Sequence, residues 1–290
     1  MEMPPSRGYA ARRADIRPLM TARALPRPAF PEIRAMQAAF ATLSAIHRHP
    51  VKALGAEILA GADLAAGLTL PGDRAWALAH EKSRFDFDAP AWTRCTTFLR
   101  GATFPSLMAV TVAAGPDGAL TFRHPQAGEI VADPASPEGE AALIAWVDRL
   151  IPAHAPRPAR LAPCPGRGMT DNPNPWLSIL SDASLAELSA RAGVAPDRRR
   201  FRGNLWIEGA APWAEFDLPG REIRLGGAVL RVRERIERCS ATQADPETGR
   251  HDVDMLGLLE KGYGHKDFGV FAEVISGGPV APGDKLEIAA

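Results

Sequence analysis

The 290-residue chain has few cysteines, and their placement excludes several classes of protein. Three are present, and no two are spaced as a CxxC pair, so zinc ribbons and iron–sulfur clusters have no ligand set. At this density a disulfide framework is also not expected, which predicts a reducing, cytoplasmic location. The three residues are Cys95, Cys164 and Cys239.

The sequence also has no excess of charge of either sign and no long apolar run. Lys plus Arg and Asp plus Glu both number 34, so no net charge recruits nucleic acid, and any anion site must be local. No apolar stretch approaches the roughly 20 residues that span a bilayer. Arg12 and Arg13 are not followed by the apolar segment of an export signal, so we predict no membrane span and no export.

Residues 1–38 differ from the rest in composition. They hold seven arginines against three acids, are interrupted by six prolines, and have no periodic apolar face. This composition predicts a disordered N-terminal extension. Two interpretations remain open, an organelle transit peptide and a start codon assigned too far upstream, with Met20 or Met36 as the true first residue.

The remaining chain predicts a mainly β protein with a few helices. Short apolar segments bounded by turn residues indicate strands at 76–78 and 107–112, and the turn at 115–118 predicts a hairpin. Helical spacing covers 138–150, and a capping box at Ser184–Glu187 with Gly193 behind it predicts a second helix. A short helix is expected at 253–259.

The chain is expected to fold as two β-barrel-like domains. Residues 151–175 are rich in proline, which is typical of a linker or an extended crossover. After them, strands alternate with tight turns and predict hairpins at 221–232 and at 268–288. We therefore predict domains at 39–160 and 161–290.

No phosphate-binding glycine loop, GxSxG or HExxH motif is present. The two nearest histidines, His47 and His49, are better interpreted as ordinary buried or surface residues than as a chelating pair. The informative pattern is distributed over four parts of the chain. These are HPVKALG at 49–55 with GDRAWAL at 72–78, FRGN at 201–204 with PWAE at 212–215, RCSATQADPETG at 238–249, and FGVF at 268–271 with GGPVAPGD at 277–284.

In this order the four parts resemble the MOSC family, named for the C-terminal domain of molybdenum cofactor sulfurase. The resemblance covers about residues 42–288 and is greatest to members with an N-terminal MOSC β-barrel domain, such as the mitochondrial amidoxime-reducing component and its bacterial relatives. It implies an oxidoreductase that binds the molybdenum cofactor (molybdopterin) and reduces small N-hydroxylated compounds. Since the chain has no cysteine cluster, electrons are expected from a separate protein of ferredoxin, flavoprotein or cytochrome type.

The resemblance also implies roles for individual residues. Cys239 matches the cysteine that ligates molybdenum and is the expected catalytic residue. The expected cofactor-binding residues are Lys52, Arg74, Asn174, Ser181, Arg202, Asn204 and Arg238. The chain departs from the family in having Ala53 where serine is common and Gly203 where proline is common.

The residue chemistry agrees with these roles. A thiolate suits a soft, redox-active metal, and the arginines around Cys239 favour its thiolate. Guanidinium groups and a lysine are the usual anchors of a phosphate. Because these anchors come from both halves of the chain, the site is expected in a cleft between the two domains.

Two other functions remain open. Cys239 would act as a sulfur carrier if it held a persulfide without molybdenum, since a reactive thiol suits both tasks. A module that only stores the cofactor would bind it without turnover. The turn at 245–249 is interpreted first as a turn and second as a lining of the substrate entrance.

Overall fold

A computed structural model of the chain describes residues 39–115 and 118–289. The predicted N-terminal extension at 1–38 and the tip of the predicted turn, residues 116–117, lie outside the described residues. Most of the regular structure is β, as the sequence predicts. The strands are β1 (Ala41–Arg48), β2 (Glu57–Leu59), β3 (Ala62–Leu64), β4 (Trp76–His80), β5 (Thr111–Ala114), β6 (Leu120–His124), β7 (Gly128–Ala132), β8 (Pro158–Pro163), β9 (Leu177–Ser181), β10 (Leu205–Glu208), β11 (Glu222–Leu225), β12 (Ala228–Glu237), β13 (Asp267–Ser276), β14 (Gly278–Val280) and β15 (Lys285–Ile288).

The described residues also form three α-helices and several short 3-10 helices. The α-helices are α1 (Pro137–Asp148), α2 (Asp182–Ala192) and α3 (Met255–Tyr263). The 3-10 helices are Cys95–Thr97, Pro105–Ala109, Arg198–Phe201, Ala214–Asp217 and Ser240–Gln243. No helix in this part of the chain is both long and apolar enough to cross a bilayer.

Seven strands close into a barrel. Through hydrogen-bonded neighbours the order is β10, β9, β13, β12, β11, β15 and β1, and β1 pairs again with β10. Only β9 and β10 are parallel. Closure leaves no free edge in this ring. The alternating apolar residues of these strands fill the interior, where Leu43, Ile179, Ile223, Leu230 and Val270 are buried.

The N-terminal part contributes to this barrel and also builds smaller sheets of its own. Strand β1 closes the barrel, and β3 pairs with β14 near the C-terminus. Strands β5, β6 and β7 form an antiparallel sheet, and β4 pairs with β8. A second core, with Leu78, Leu107, Phe122 and Leu143, lies under these sheets and α1. The fold class is confirmed as β-rich with few helices, and the domain boundary near residue 160 stays a prediction.

Local signals predicted some elements correctly and misplaced others. Helix α1 begins after Ser136, whose Oγ accepts the Gly139 N–H at 3.0 Å, and the β11–β12 hairpin forms as expected. The predicted capping box at Ser184 is wrong, because α2 begins at Asp182 and Ser181 is its N-cap. The Ser184 hydroxyl is instead engaged with Trp213 and Glu215, in contacts far along the chain.

Two strand predictions need correction as well. The apolar run at 107–112 was expected to be one strand, but the Pro105–Ala109 3-10 helix precedes β5. A short apolar run does not distinguish a strand from a buried helical turn, and Pro105 favours the helix start. The predicted hairpin at 268–288 does not form. Strand β13 pairs with β12 and β9, while β15 pairs with β1 and β11.

Candidate functional site

Four cationic side chains converge beside the barrel. Lys52 follows β1, Arg74 precedes β4, Arg202 ends the Arg198–Phe201 3-10 helix, and Arg238 follows β12. We call these four residues the cation cluster. Arg74 Nη2 donates to the Arg202 carbonyl at 2.9 Å, and Arg238 Nη1 donates to the Phe201 carbonyl at 3.0 Å. These contacts join segments that are distant in sequence, as the cleft prediction requires.

The backbone is unusual at this cluster. Among the described residues, four that are not glycine have a positive φ, and three of them are Ala53 (69°), Arg74 (51°) and Arg202 (48°). This left-handed conformation is unfavourable for residues with a Cβ and persists where the surroundings enforce it. Its concentration beside the cation cluster marks the place as a candidate functional site.

Asp73 and His49 fix the position of Arg74. The buried Asp73 carboxylate accepts the His49 backbone N–H at 2.7 Å and also contacts the guanidinium of Arg74. Burial alone would raise the pKa of Asp73, but Arg74 and His49 outweigh it and hold that pKa well below its usual range. Burial, with the charges of Arg202 and Arg74, lowers the pKa of His49 strongly, so its ring is neutral. The arrangement orients Arg74 by a buried carboxylate.

The cluster carries more positive charge than its partners neutralise. Arg202 Nη2 donates to the Leu54 carbonyl at 3.1 Å and Arg238 Nε to the Phe268 carbonyl at 2.8 Å. Within residues 39–115 and 118–289, no carboxylate lies within ion-pair distance of these two arginines. The ion pairs of the other two cations are Lys52–Asp171 and Arg74–Asp73.

Burial, together with the neighbouring charge of Arg74, lowers the pKa of both arginines that have no ion pair among the described residues. Burial and the charge of Arg74 lower the pKa of Arg202 to about 9, against the opposing carboxylates of Asp73 and Asp171. Burial also lowers the pKa of Arg238 to about 9, where Cys239 opposes the shift and Arg74 adds to it. Like charges held together in a partly buried place favour a bound anion, which would relieve their repulsion.

Cys239 lies next to this charge and is exposed, whereas Cys95 is half-buried and Cys164 is buried. It stands just before the Ser240–Gln243 3-10 helix, and its carbonyl accepts the Thr242 N–H at 3.2 Å. The N-terminal part borders this loop, since Ser240 Oγ donates to the Ala102 carbonyl at 3.5 Å. The thiol is therefore accessible at a place where the two halves of the chain meet.

The other three predicted cofactor-binding residues lie elsewhere or have other partners. Ser181 is buried and caps α2. The buried Asn204 side chain accepts from Ser178 and donates to the His47 carbonyl at 3.3 Å, which ties β10 to β9 and β1. Asn174 is exposed on the loop before β9. Contact of these three residues with a cofactor stays a prediction, while the hydrogen bonds of Ser181 and Asn204 stabilise the fold.

The structure gives a reason for one departure from the family pattern. Gly203 is buried, and a Cβ there would collide with the side chain of Leu180. Leu180 thus takes the space that a larger residue at position 203 would need. Ala53, the other departure, adopts the left-handed conformation.

The turn at 245–249 also forms as predicted. Asp245 organises it, because its carboxylate accepts the Glu247 N–H at 3.0 Å and the Thr248 hydroxyl at 2.9 Å. Gly249 packs closely against Ser106 of the N-terminal part. The interpretation as a turn is confirmed, and a role at the substrate entrance stays a prediction.

Sequence reasoning missed the roles of Asp171 and Glu215. Asp171 contacts Lys52 although no motif marks it. Glu215 belongs to the quoted PWAE segment, but its burial was not predicted. Its Oε2 accepts the Ser184 hydroxyl at 2.9 Å, and that hydroxyl accepts the Trp213 N–H at 2.7 Å, which anchors the first turn of α2. An acidic residue within a family motif was the signal in the sequence that could have marked Glu215 as a residue with a specific role.

We expect the free energy of unfolding to fall less with rising pH in Glu215→Gln than in the unsubstituted protein. Burial raises the pKa of Glu215, opposed by the Ser184 hydrogen bond. A carboxyl with a raised folded-state pKa stabilises the fold below its unfolded pKa of about 4.3, and this stability is lost as pH rises through the folded value. Each unit of elevation contributes about 1.4 kcal/mol to that loss. Glutamine keeps an acceptor for Ser184 without a charge.

Urea unfolding at pH 5, 7 and 9 measures this effect as the fall in unfolding free energy. The fall should be smaller in Glu215→Gln than in the unsubstituted protein. Glu208→Gln, at the exposed end of β10, is the matched control and should not change it. An equal fall in all three proteins would show that Glu215 does not carry the pH dependence.

No curated protein matches the chain. The crystal structure of the YuaD protein from Bacillus subtilis is 14% identical, with a TM-score of 0.42, and the match covers 86% of this chain and 94% of that one. That of YiiM from Geobacillus stearothermophilus is 18% identical, with a TM-score of 0.32, over 39% of this chain and 54% of that one.

Two family models match in sequence order. The MOSC N-terminal β-barrel domain matches residues 40–146, and the MOSC domain matches residues 170–287. The matched regions contain all four residues of the cation cluster, and the second also contains Cys239. The chain therefore belongs to the MOSC family and combines the N-terminal β-barrel domain with the MOSC domain.

Proposed function

We propose that the chain binds the molybdenum cofactor and uses it to reduce small N-hydroxylated compounds. One observation carries the proposal: an exposed cysteine, Cys239, adjoins a cation cluster whose charge is incompletely neutralised. The MOSC domain is associated with molybdenum cofactor binding in general. The members that this chain resembles reduce amidoximes, hydroxylamines and N-hydroxylated bases.

The donor set fits such a cofactor. Molybdopterin carries a phosphate, and guanidinium groups with a lysine are suited to bind it. Within the described residues no group of three or more His, Cys, Asp or Glu side chains is arranged to hold a metal ion. Under this proposal a metal at this place arrives with its own ligands and takes a single ligand from the protein. The exposed thiol of Cys239 suits that task, since thiolates bind soft metals.

Each part of the site has a distinct task under this proposal. Lys52, Arg74, Arg202 and Arg238 bind the phosphate and neutralise it. Asp73 holds Arg74 in place for that contact. Cys239 would hold the metal, and its exposure would give a small substrate access. The N-terminal part borders the Ser240–Gln243 helix, where Ser240 Oγ donates to the Ala102 carbonyl.

The bound cofactor would supply the two-electron chemistry. In the overall reaction the N–O bond of the substrate breaks, two electrons and two protons are consumed, and the reduced nitrogen compound and water are released. Among the described residues, Cys95, Cys164 and Cys239 are not arranged as the ligand set of an iron–sulfur cluster. Electrons are therefore proposed to come from a separate ferredoxin, flavoprotein or cytochrome.

The exposure of Cys239 also favours a second candidate function, sulfur transfer. A persulfide on Cys239 would hand its outer sulfur to a nucleophilic acceptor, and the cysteine would leave as the thiolate. This function requires neither molybdenum nor the positive charge of the cation cluster. The uncompensated positive charge thus supports the reductase.

Metal and pterin analysis of the purified full chain separates the two functions. Protein produced in a molybdate-fed host should contain molybdenum and pterin in near-equal amounts and reduce benzamidoxime with reduced viologen. Protein without molybdenum that carries a persulfide on Cys239 would contradict the reductase and support sulfur transfer. Molybdenum without turnover of any N-hydroxylated compound would indicate cofactor storage.

A further inference from the structure

The Asp171 carboxylate binds a cation of the cluster that is also proposed to bind the cofactor phosphate. Asp171 contacts the Lys52 ammonium group and interacts electrostatically with Arg74 and Arg202. The two side chains differ in exposure, since that of Lys52 is 6% exposed and that of Asp171 is 71% exposed. Lys52 is thus a fixed part of the site, whereas Asp171 reaches it from the surface.

The Asp171 carboxylate is not needed to hold its own loop. The Trp92 indole N–H donates to the Thr170 carbonyl at 2.9 Å, and Arg167 Nη1 donates to the Pro173 carbonyl at 2.7 Å. Lys52 Nζ also donates to the Met169 carbonyl at 2.9 Å. These bonds hold the backbone on both sides of Asp171, so its side chain is free to turn away while the loop stays in place.

The two carboxylates paired with the cation cluster differ in how firmly they are held. Two carboxylates, Asp73 and Asp171, form ion pairs with the cation cluster, and a third, Asp267, acts on Arg238 only electrostatically. Asp73 is buried and held by the His49 backbone, so it is a permanent partner of Arg74. Asp171 is the exposed one of the two carboxylates that form ion pairs, and it neutralises the same ammonium group that a phosphate would use.

We propose that Asp171 is an internal counter-anion, which a bound phosphate group displaces from Lys52. The inference rests on the proposed role of the cluster as a phosphate anchor. Asp171 then lowers the affinity of the site for phosphate, because the ligand must break the Lys52–Asp171 pair before it gains that cation. It also favours a dianionic phosphate ester over a monoanion such as a carboxylate, since a dianion competes more strongly for Lys52.

Asp171→Asn tests this with inorganic phosphate as the probe. Asparagine has the same shape and leaves the backbone anchors intact, but carries no charge. Phosphate binding to the cofactor-free full chain, measured by isothermal titration calorimetry at constant ionic strength, should tighten about two- to tenfold. Asp171→Glu keeps the charge and should bind phosphate like the unsubstituted chain. Asp63→Asn, at an exposed position on β3, should have no effect.

The outcomes separate this inference from the proposed function. One outcome would overturn the counter-anion role of Asp171 but retain the cluster as a phosphate anchor. In that outcome Arg202→Ala weakens phosphate binding, whereas Asp171→Asn binds phosphate no more tightly than the unsubstituted chain. Failure of the unsubstituted chain and of Asp171→Asn to bind phosphate at millimolar concentration would overturn both. Tighter binding only in Asp171→Asn supports the inference whatever substrate the loaded enzyme reduces.

Discussion

Cys239→Ser is expected to lose nearly all reductase activity while the barrel stays folded. A serine hydroxyl is a hard donor that remains protonated near neutral pH, so the metal–thiolate bond cannot form. Loss of a group that merely supports a metal ligand costs about 10- to 100-fold, and loss of the ligand itself should exceed that range. The phosphate contacts of the cation cluster remain, so pterin content should fall less than molybdenum content or turnover.

The other two cysteines supply the controls for this experiment. Cys95→Ser and Cys164→Ser should keep both activity and metal, because neither thiol is exposed and no hydrogen bond joins either side chain to the cation cluster among the described residues. The charge of Lys52 acts on Cys164, but burial outweighs it. Cys164 is buried, and burial raises the pKa of its thiol, as for an unreactive core residue. A hydroxyl there costs about 1–3 kcal/mol if it finds no partner.

The Cys239→Ser protein must be shown to be folded before its activity is interpreted. Its circular dichroism and unfolding midpoint should match those of the unsubstituted protein, since the Cys239 side chain is exposed. Benzamidoxime reduction with reduced viologen, together with metal and pterin analysis, then measures the effect. Unchanged turnover in folded Cys239→Ser would remove the thiolate ligand from the mechanism.

Local sequence signals predicted the elements that local contacts stabilise. The spacing of α1 and the Gly226-Gly227 turn of the β11–β12 hairpin involve residues close in sequence, and both elements form as expected. The hairpin predicted at 268–288 failed for the opposite reason. The three-residue strand β14 pairs with β3, more than 200 positions earlier in the chain, and β15 pairs with β1 and β11. Such pairing depends on the whole barrel.

The sequence predicted those site residues that lie in family motifs. The resemblance selected Lys52, Arg74, Arg202 and Arg238, and the structure brings these four residues together. Asp171 carries no motif, because its role arises only from the position of its loop over Lys52. For Asn204 the motif identified a residue whose visible contacts are with Ser178 and His47, inside the fold. A motif thus selects residues without distinguishing ligand contact from structural support.

Arg74→Ala and Arg202→Ala are each expected to lower cofactor occupancy without unfolding the chain. A charge-assisted hydrogen bond to phosphate is worth about 1.5–3 kcal/mol, so affinity should fall about tenfold to hundredfold. Burial lowers the pKa of Arg202 and Arg238, and the charge of Arg74 adds to that shift. Arg74→Ala therefore relieves this repulsion, which offsets part of the lost hydrogen bonding in the cofactor-free protein. Stability should therefore change less than cofactor affinity.

The two variants should differ in a way that tests the geometry of the cluster. Arg74 donates to the Arg202 carbonyl and pairs with the buried Asp73, so Arg74→Ala also leaves Asp73 with one partner fewer and should be the less stable variant. Arg202→Lys keeps the charge but loses the planar guanidinium, and it should recover only part of the occupancy. Arg224→Ala, at an exposed position on β11, is the matched control. Molybdenum and pterin content equal to the control in both Arg74→Ala and Arg202→Ala would show that these arginines do not anchor the cofactor.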